Sequence, residues 1–251
     1  MEFEASTAIV TGATGGIGKE LVDRLIELGA NVVATGRSVE QCAQLEQRYG
    51  RKLLALPGDI QDPEHCQRLV ESAVGHFGGV QLLFNNAGSI PRGTAEQTTD
   101  QMWADALAVN LTAAFRLSRA VLEPMTKSGG GAIVNTASAW GLYPGPRHLA
   151  YCTAKGALIA MTKCMGRDHA AQGIRVNAVC PNEVDTPMLR SGFEHRGLDP
   201  ESAVRELDAT VPLGHIASAA EVVDAMLFLA SDQARYVTGT VLEVTGAKPV
   251  F

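Results

Sequence analysis

No uninterrupted apolar stretch in this chain approaches the ~20 residues that a membrane-spanning helix requires. No basic run is present either. The net charge is −6, so nucleic acid is not an expected partner. The N-terminal Met-Glu-Phe-Glu is acidic and carries no signal-peptide pattern, which points to a cytoplasmic protein. Cysteine is sparse. The five, Cys42, Cys66, Cys152, Cys164 and Cys180, are odd in number and form no Cys-x-x-Cys. They read as reduced thiols rather than as disulfides or a metal site. The six histidines are scattered without ligand spacing, so no metal is expected. Linkers, internal repeats and low-complexity segments are absent, which leaves residues 1–251 as a single domain.

Hydrophobic residues make up 46% of the 251. A chain of this length buries roughly three quarters of its unfolded surface. Short apolar runs at 7–10, 31–35, 53–56, 82–84, 132–135, 175–179 and 240–244 read as seven strands. Helical spacing separates them, at 21–28, 39–49, 62–76, 99–127, 151–169 and 219–229. Asp62-Pro63 is a cap followed by a first-turn proline. Strict alternation of this kind predicts a doubly wound parallel sheet with helices on both faces, an α/β Rossmann-type domain. The least regular stretch, 182–212, follows the sixth strand. An insertion at the carboxyl ends of the strands is expected to act as a substrate lid.

Two local patterns carry chemistry. The first strand runs into Thr11-Gly-Ala-Thr-Gly-Gly-Ile-Gly18 and then a helix. Glycines let backbone approach a pyrophosphate, and the helix N-terminus presents free amides. A P-loop does not fit, because Ala13 replaces its first glycine and Glu20 its magnesium-binding hydroxyl. The second pattern is Tyr151 with Lys155 four residues on, and Ser138 thirteen residues before Tyr151. One helical turn sets the phenol beside the ammonium. A cation there favours the phenolate and draws the tyrosine pKa toward neutrality.

Together these residues resemble the short-chain dehydrogenase/reductase family over nearly the whole chain. Thr11-Gly12 with Gly16 and Gly18 is similar to the family's cofactor turn, Asp59 to its adenine-contacting aspartate, and Asn85-Asn-Ala-Gly88 to the motif after the fourth strand. Asn110, Ser138, Tyr151 and Lys155 match its catalytic tetrad, and Thr186-Pro-Met188 its segment near the nicotinamide. The resemblance implies hydride transfer between NADP(H) or NAD(H) and a secondary alcohol/ketone pair. Tyr151 is then the acid/base and Ser138 the group that steadies the substrate oxygen. Lys155 also holds the nicotinamide ribose, and Asn110 holds a water leading from Lys155 to solvent. The implied cofactor contacts are Gly12, Thr14, Gly16, Ile17, Gly18, Arg37, Asp59, Ile60, Asn86, Ala87, Gly88, Tyr151, Lys155, Pro181, Val184 and Thr186. It also implies a homotetramer built through the helices around Asn110 and Tyr151 and through the last helix and strand. Ala106, Ala108, Ala113, Ala114, Ala157 and Ala160 keep these helices slim.

Other readings stand beside these. Taken singly, Asn110 is a mid-helix polar residue bonding its own backbone, Ser138 a strand-end turn residue and Asp59 a cap. A catalytically silent dinucleotide-binding regulator and a structural subunit of a larger complex are the alternative functions. Where the second strand ends, Gly36 replaces the acid of NAD sites and Arg37 follows, which favours NADP(H). Pro181-Asn182 replaces the family's Pro-Gly, and Thr245-Gly246-Ala247 its Asp-Gly-Gly. Asn182 and Glu183 either face nicotinamide and substrate or mark a silent turn substitution. Trp140, Arg147, His148, Asn182, Glu183 and Met188 are the candidate substrate residues. Arg147, His148, Arg190, His195 and Arg196 are expected either to recognise a polar or anionic substrate group or to form a solvated charged surface.

Overall fold

In the computed structural model, which describes residues 3–248, seven strands form one parallel sheet. In chain order the main elements are β1 (Thr7–Thr11), α1 (Gly16–Glu27), β2 (Asn31–Thr35), α2 (Val39–Tyr49), β3 (Leu53–Ala55), α3 (Pro63–Phe77) and β4 (Leu82–Asn85). There follow α4 (Asp100–Leu107), α5 (Ala113–Lys127), β5 (Gly131–Thr136), α6 (Leu149–Asp168) and β6 (Ile174–Pro181). The chain closes with β7 (Val184–Asp185), α7 (Pro187–Glu194), α8 (Pro200–Asp208), β8 (Ala217–Ser218), α9 (Ala219–Ala230) and β9 (Val241–Val244).

The sheet order is β3-β2-β1-β4-β5-β6-β9, and β7 pairs β8 in a separate ribbon. Both faces of the sheet are covered, which is why its strands read as continuous apolar runs. Along β1 the side chains alternate between two cores. Ala8 and Val10 join the layer of Leu21, Leu25, Val222 and Met226 from α1 and α9. Ile9 faces Leu69, Val121 and Met125 from α3 and α5. The chain reverses its direction of travel between β1 and β4, and the crevice above their carboxyl ends is where such sheets bind ligands.

Two expectations are corrected here. The stretch 182–212 is not irregular: it folds as β7, α7 and α8. Both helices open on a capped X-Pro start, with Thr186 accepting from the Leu189 amide at 3.4 Å and Asp199 from the Ser202 amide at 2.9 Å. The helical region from 99 to 127 is not continuous either. A π-helical turn, Ala108–Thr112, separates α4 from α5. Its cause is local. The Asn110 side-chain amide donates to the Ala106 carbonyl at 3.0 Å, taking an acceptor that the backbone would otherwise use.

Candidate active site

The glycines at the head of α1 are required by what they touch. A β-carbon on Gly18 would stand 2.1 Å from the Gly12 carbonyl oxygen, and one on Gly16 would stand 2.7 Å from Thr186 Cγ2. Gly12 has φ +64, a left-handed conformation, and its β-carbon would meet Ala87 Cα at 2.9 Å. The N-cap of α1 is Gly15, which offers no side chain to the first-turn amides. Those amides and the positive end of the helix dipole are left to an incoming anion.

Thr11 sews this turn to the strand beside it. Its hydroxyl accepts from the Asn86 amide at 2.9 Å and the Ala87 amide at 3.0 Å, and the Asn86 side chain donates to the Thr11 carbonyl at 3.1 Å. Beneath it runs a buried polar ladder. Asn85 donates to Ser118 at 3.1 Å and to Asn135 at 2.8 Å, and Asn135 donates to Thr162 at 2.9 Å. That ladder ties β4 and β5 to α6, the helix that carries Tyr151 and Lys155.

A cleft of about 530 Å³ runs along the strand ends, a size suited to a small-molecule or cofactor site. All sixteen residues expected to contact a cofactor, from Gly12 to Thr186, line it, and so does Ser138. Tyr151 and Lys155 are buried on its wall. Lys155 Nζ donates to the Thr136 carbonyl at 2.6 Å and lies 5.9 Å from the centre of the Tyr151 ring. Burial dominates both groups. It pushes the Tyr151 phenol up to about 12, against a lowering influence from the Ser138 hydroxyl. It pushes Lys155 down to about 8. The expected drawing of the phenol toward neutrality is therefore not seen here, because desolvation disfavours the charged form of each partner.

Asn110 does not reach the cleft wall. It is buried and exchanges hydrogen bonds with Ser89, donating to that carbonyl at 3.0 Å and accepting from that amide at 3.2 Å. Gly88 lies against it, since a β-carbon there would sit 3.0 Å from Asn110 Oδ1 and 3.5 Å from Lys155 Nζ.

The candidate substrate residues divide. Asn182 and Met188 line the cleft, whereas Trp140, Arg147, His148 and Glu183 do not. The Trp140 ring packs against His148 at 4.3 Å, tilted by 51°, and meets the Tyr151 ring edge-on at 6.4 Å. Arg147 takes a left-handed backbone conformation, φ 60, and with His148 faces a separate hollow beside Cys152. Glu183 is held by Lys248 at 2.9 Å. Nor do Arg190, His195 and Arg196 line the cleft. Arg190 pairs with both oxygens of Asp185 and with Glu201, fastening α7 to β7 and α8. Arg196 lies over the Phe193 ring and donates to the Gly192 carbonyl. The His195 imidazole is 2.6 Å from the Ser191 carbonyl.

Sequence reasoning passed over several wall residues: Gln41, Gln61, Ser89, Ile90, Arg92, Val109, Thr136 and Leu189. Most flank a recognised motif by a few residues. Arg92, four beyond Gly88, had that signal and no other.

A crevice at the chain reversal of a parallel sheet, floored by a glycine turn and walled by a buried tyrosine–lysine pair, defines a dinucleotide-dependent oxidoreductase fold. Residues 6–197 match the family described as short chain dehydrogenase, and the chain belongs to the short-chain dehydrogenase/reductase family of oxidoreductases. It is 36% identical over 247 residues to a 3-oxoacyl-[acyl-carrier-protein] reductase of Vibrio cholerae, with 98% of each chain covered. It is 32% identical over 249 residues to an uncharacterized oxidoreductase of Thermotoga maritima, again covering 98% of both. Among solved structures, the ligand-free aldohexose dehydrogenase of Thermoplasma acidophilum superposes with a TM-score of 0.89. The identity there is 30%, and the match covers 97% of this chain and 93% of that one. The family's cofactor is NADP(H) or NAD(H), and the cradle left by Gly12, Gly16 and Gly18 fits its pyrophosphate. Among the described residues no helix is long and apolar enough to cross a membrane.

Proposed function

We propose that this protein is an NADP(H)-preferring ketoreductase/alcohol dehydrogenase acting on a secondary alcohol/ketone pair. The observation that carries the reading is the convergence of Ser138, Tyr151 and Lys155 on one wall of the cleft whose far end is the glycine turn. The relatives' names fit it, since a 3-oxoacyl reductase and an aldohexose dehydrogenase both interconvert carbonyl and hydroxyl groups.

The bound dinucleotide supplies the hydride in reduction and accepts it in oxidation. Gly12, Gly16 and Gly18 admit its pyrophosphate to the α1 amides, and Arg37 reads a 2′-phosphate. Ser138 hydrogen-bonds the substrate oxygen. In reduction Tyr151 gives its phenolic proton to that oxygen as the C–H bond forms. With its pKa near 12 in the free enzyme, the phenol stands ready in the protonated form. In oxidation a phenolate takes the alcohol proton, and the Lys155 ammonium stabilises it. Lys155 also holds the nicotinamide ribose, and Asn110 orders the route from Lys155 to solvent. Residues 182–212, braced by Arg190, form the lid over the substrate.

We place the protein in the cytoplasm as a homotetramer. Trp103 on α4, Phe115 on α5 and Phe228 on α9 are large apolar side chains left open on the helices such an assembly would use. Light scattering at micromolar concentration tests this, and a monomeric mass refutes it.

The decisive experiment for the activity compares wild type with Tyr151→Phe on a panel of alcohols and ketones, alongside cofactor binding by fluorescence. The variant is expected to lose about 10²–10⁴ in kcat and to bind cofactor as before. More than a tenth of wild-type kcat remaining would overturn the assignment of Tyr151. A wild type that binds cofactor without any turnover would be the silent regulator, and one that does neither a structural subunit.

A further inference from the structure

We propose that Arg92 selects the substrate, holding an anionic group of the carbonyl or alcohol compound while Tyr151 acts on its oxygen. The proposal rests on the ketoreductase reading and adds to it a substrate class: oxo or hydroxy acids bearing a carboxylate or a comparable anion.

The charged side chains on the cleft wall are Arg37, Asp59, Arg92 and Lys155. Strand order sorts them. Arg37 and Asp59 follow β2 and β3, on one side of the crevice. Arg92 follows β4, on the side of β5 and Ser138. Among the described residues lining the cleft, Lys155 and Arg92 are therefore the charges on that side, and no carboxylate lines it there. Among the described residues Arg92 has no ion-pair partner. It is exposed, so its guanidinium is open to an anion that enters the cleft.

Arg92 is also fixed to the catalytic helix. The next residue, Gly93, donates from its amide to the Arg147 carbonyl at 2.7 Å and accepts from the Leu149 amide at 3.3 Å. These bonds pin the Arg92 backbone to the start of α6, immediately before Tyr151. From there the guanidinium reaches across to α7, where a β-carbon on Gly192 would stand 3.5 Å from its Nη2. Arg92 thus reaches from the loop after β4 toward α7, on the wall of the same cleft that Ser138 and Tyr151 line. A guanidinium fork matches the geometry of a carboxylate, sulfonate or phosphate. The arginines of the lid itself are directed elsewhere: Arg190 to Asp185 and Glu201, Arg196 to Gly192 and Phe193, and Arg205 to Ser202.

The test uses matched pairs: 2-oxobutanoate, 3-oxobutanoate and 4-oxopentanoate, each against its methyl ester, with saturating NADPH. In wild type at least one acid should exceed its ester in kcat/KM, by a margin that shrinks as NaCl is added. In Arg92→Gln that acid-to-ester ratio should fall about tenfold to a hundredfold, the span of one charge-assisted hydrogen bond, and Arg92→Lys should restore part of it. Using a ratio within one preparation cancels any change in the folded fraction. The proposal is overturned if esters outperform acids in every pair, or if the ratio is the same in Arg92→Gln. It is also overturned if the substitution raises KM for NADPH instead, which would assign the guanidinium to the cofactor. If wild type turns over none of the six compounds, the ketoreductase reading is what those assays challenge. Calorimetric titration of the three acids into the NADP⁺-loaded protein then decides Arg92 separately. Binding that weakens tenfold or more in Arg92→Gln supports it, and absent or equal binding overturns it.

Discussion

Lys155 donates its ammonium to the Thr136 carbonyl at 2.6 Å, inside a wall where both are buried. One hydrogen bond does not replace the water that a charged lysine loses. A side chain held near about 8 instead of its ordinary 10.5 costs the fold up to roughly 3 kcal/mol in neutral solution. Lys155→Met, close in volume and uncharged, is therefore expected to raise the thermal midpoint of the cofactor-free protein at pH 7 while abolishing turnover. Each kcal/mol corresponds to about 2–4 °C at this chain length. The sign follows from linkage. Below pH 8 the lysine is charged in both states, and its cost is full. Between pH 8 and 10.5 the folded protein sheds the proton before the unfolded chain does, so wild type gains stability as pH rises. The variant's advantage should shrink across that window. A midpoint lower than wild type at pH 7 would show that the Thr136 bond outweighs desolvation.

Gly18 and Gly75 make opposite cases of one substitution. A β-carbon on Gly18 would overlap the Gly12 carbonyl at 2.1 Å, and that oxygen belongs to backbone that Thr11 and Asn86 hold in place. Gly75 lies exposed inside α3 with nothing within 4 Å of its β-carbon. Gly18→Ala should destabilise by at least about 1–3 kcal/mol, as overpacking does, and weaken cofactor binding. Gly75→Ala should stabilise by up to about 1 kcal/mol through helix propensity. Thermal melts of the two variants check both signs. Equal midpoints would mean that the turn before α1 yields more easily than its contacts imply.

How much of this was legible beforehand depended on whether a feature is local. Alternating apolar runs with both faces buried announce a parallel sheet, and Val32 and Ala34 face one core while Val33 faces the other. The glycine turn and the Tyr151–Lys155 pair are equally local, because one strand-to-helix junction and one helical turn contain them. The capped starts of α7 and α8 were also local, as Thr186-Pro187 and Asp199-Pro200, and were obscured by the brevity of the helices that follow. The π turn at Asn110 was not local. It depends on Ser89, twenty-one residues earlier, meeting that side chain in space. Arg92 is of the same kind, since only the packing of α7 against the loop after β4 shows where its guanidinium lies.

Asn110 carries structure that a purely catalytic reading would omit. Its amide serves Ala106 and Ser89 as donor, and its oxygen accepts from the Ser89 amide. Asn110→Ala leaves the part-buried Ser89 amide and carbonyl without their side-chain partner, at about 1–3 kcal/mol. The expected result is a midpoint several degrees lower, together with a loss of kcat larger than the unfolded fraction explains at the assay temperature. Hydrogen exchange should quicken at the Ser89 amide. An unchanged midpoint would show that water replaces the side chain at no cost.

Selection between the two cofactors is expected to rest on Arg37. The residue lies exposed on the cleft wall where β2 ends, the end that receives the adenosine ribose. Gly36, just before it, leaves no room for the acidic side chain that would repel a 2′-phosphate. A β-carbon there would stand 2.6 Å from Thr14 Oγ1. The site therefore lacks the repulsive element and presents a guanidinium fork suited to phosphate. One charge-assisted hydrogen bond contributes about 1.5–3 kcal/mol, so wild type should prefer NADP(H) by roughly tenfold to a hundredfold in kcat/KM. Arg37→Ala should remove most of that ratio, with the change carried by NADP(H). Stacking of Arg37 on the adenine predicts something different, because the substitution would then weaken both cofactors alike and leave the ratio where it was. Measuring kcat/KM for each cofactor in wild type and in Arg37→Ala separates the two. Equal values in wild type, or a preference for NAD(H), would show that Arg37 does not read the phosphate.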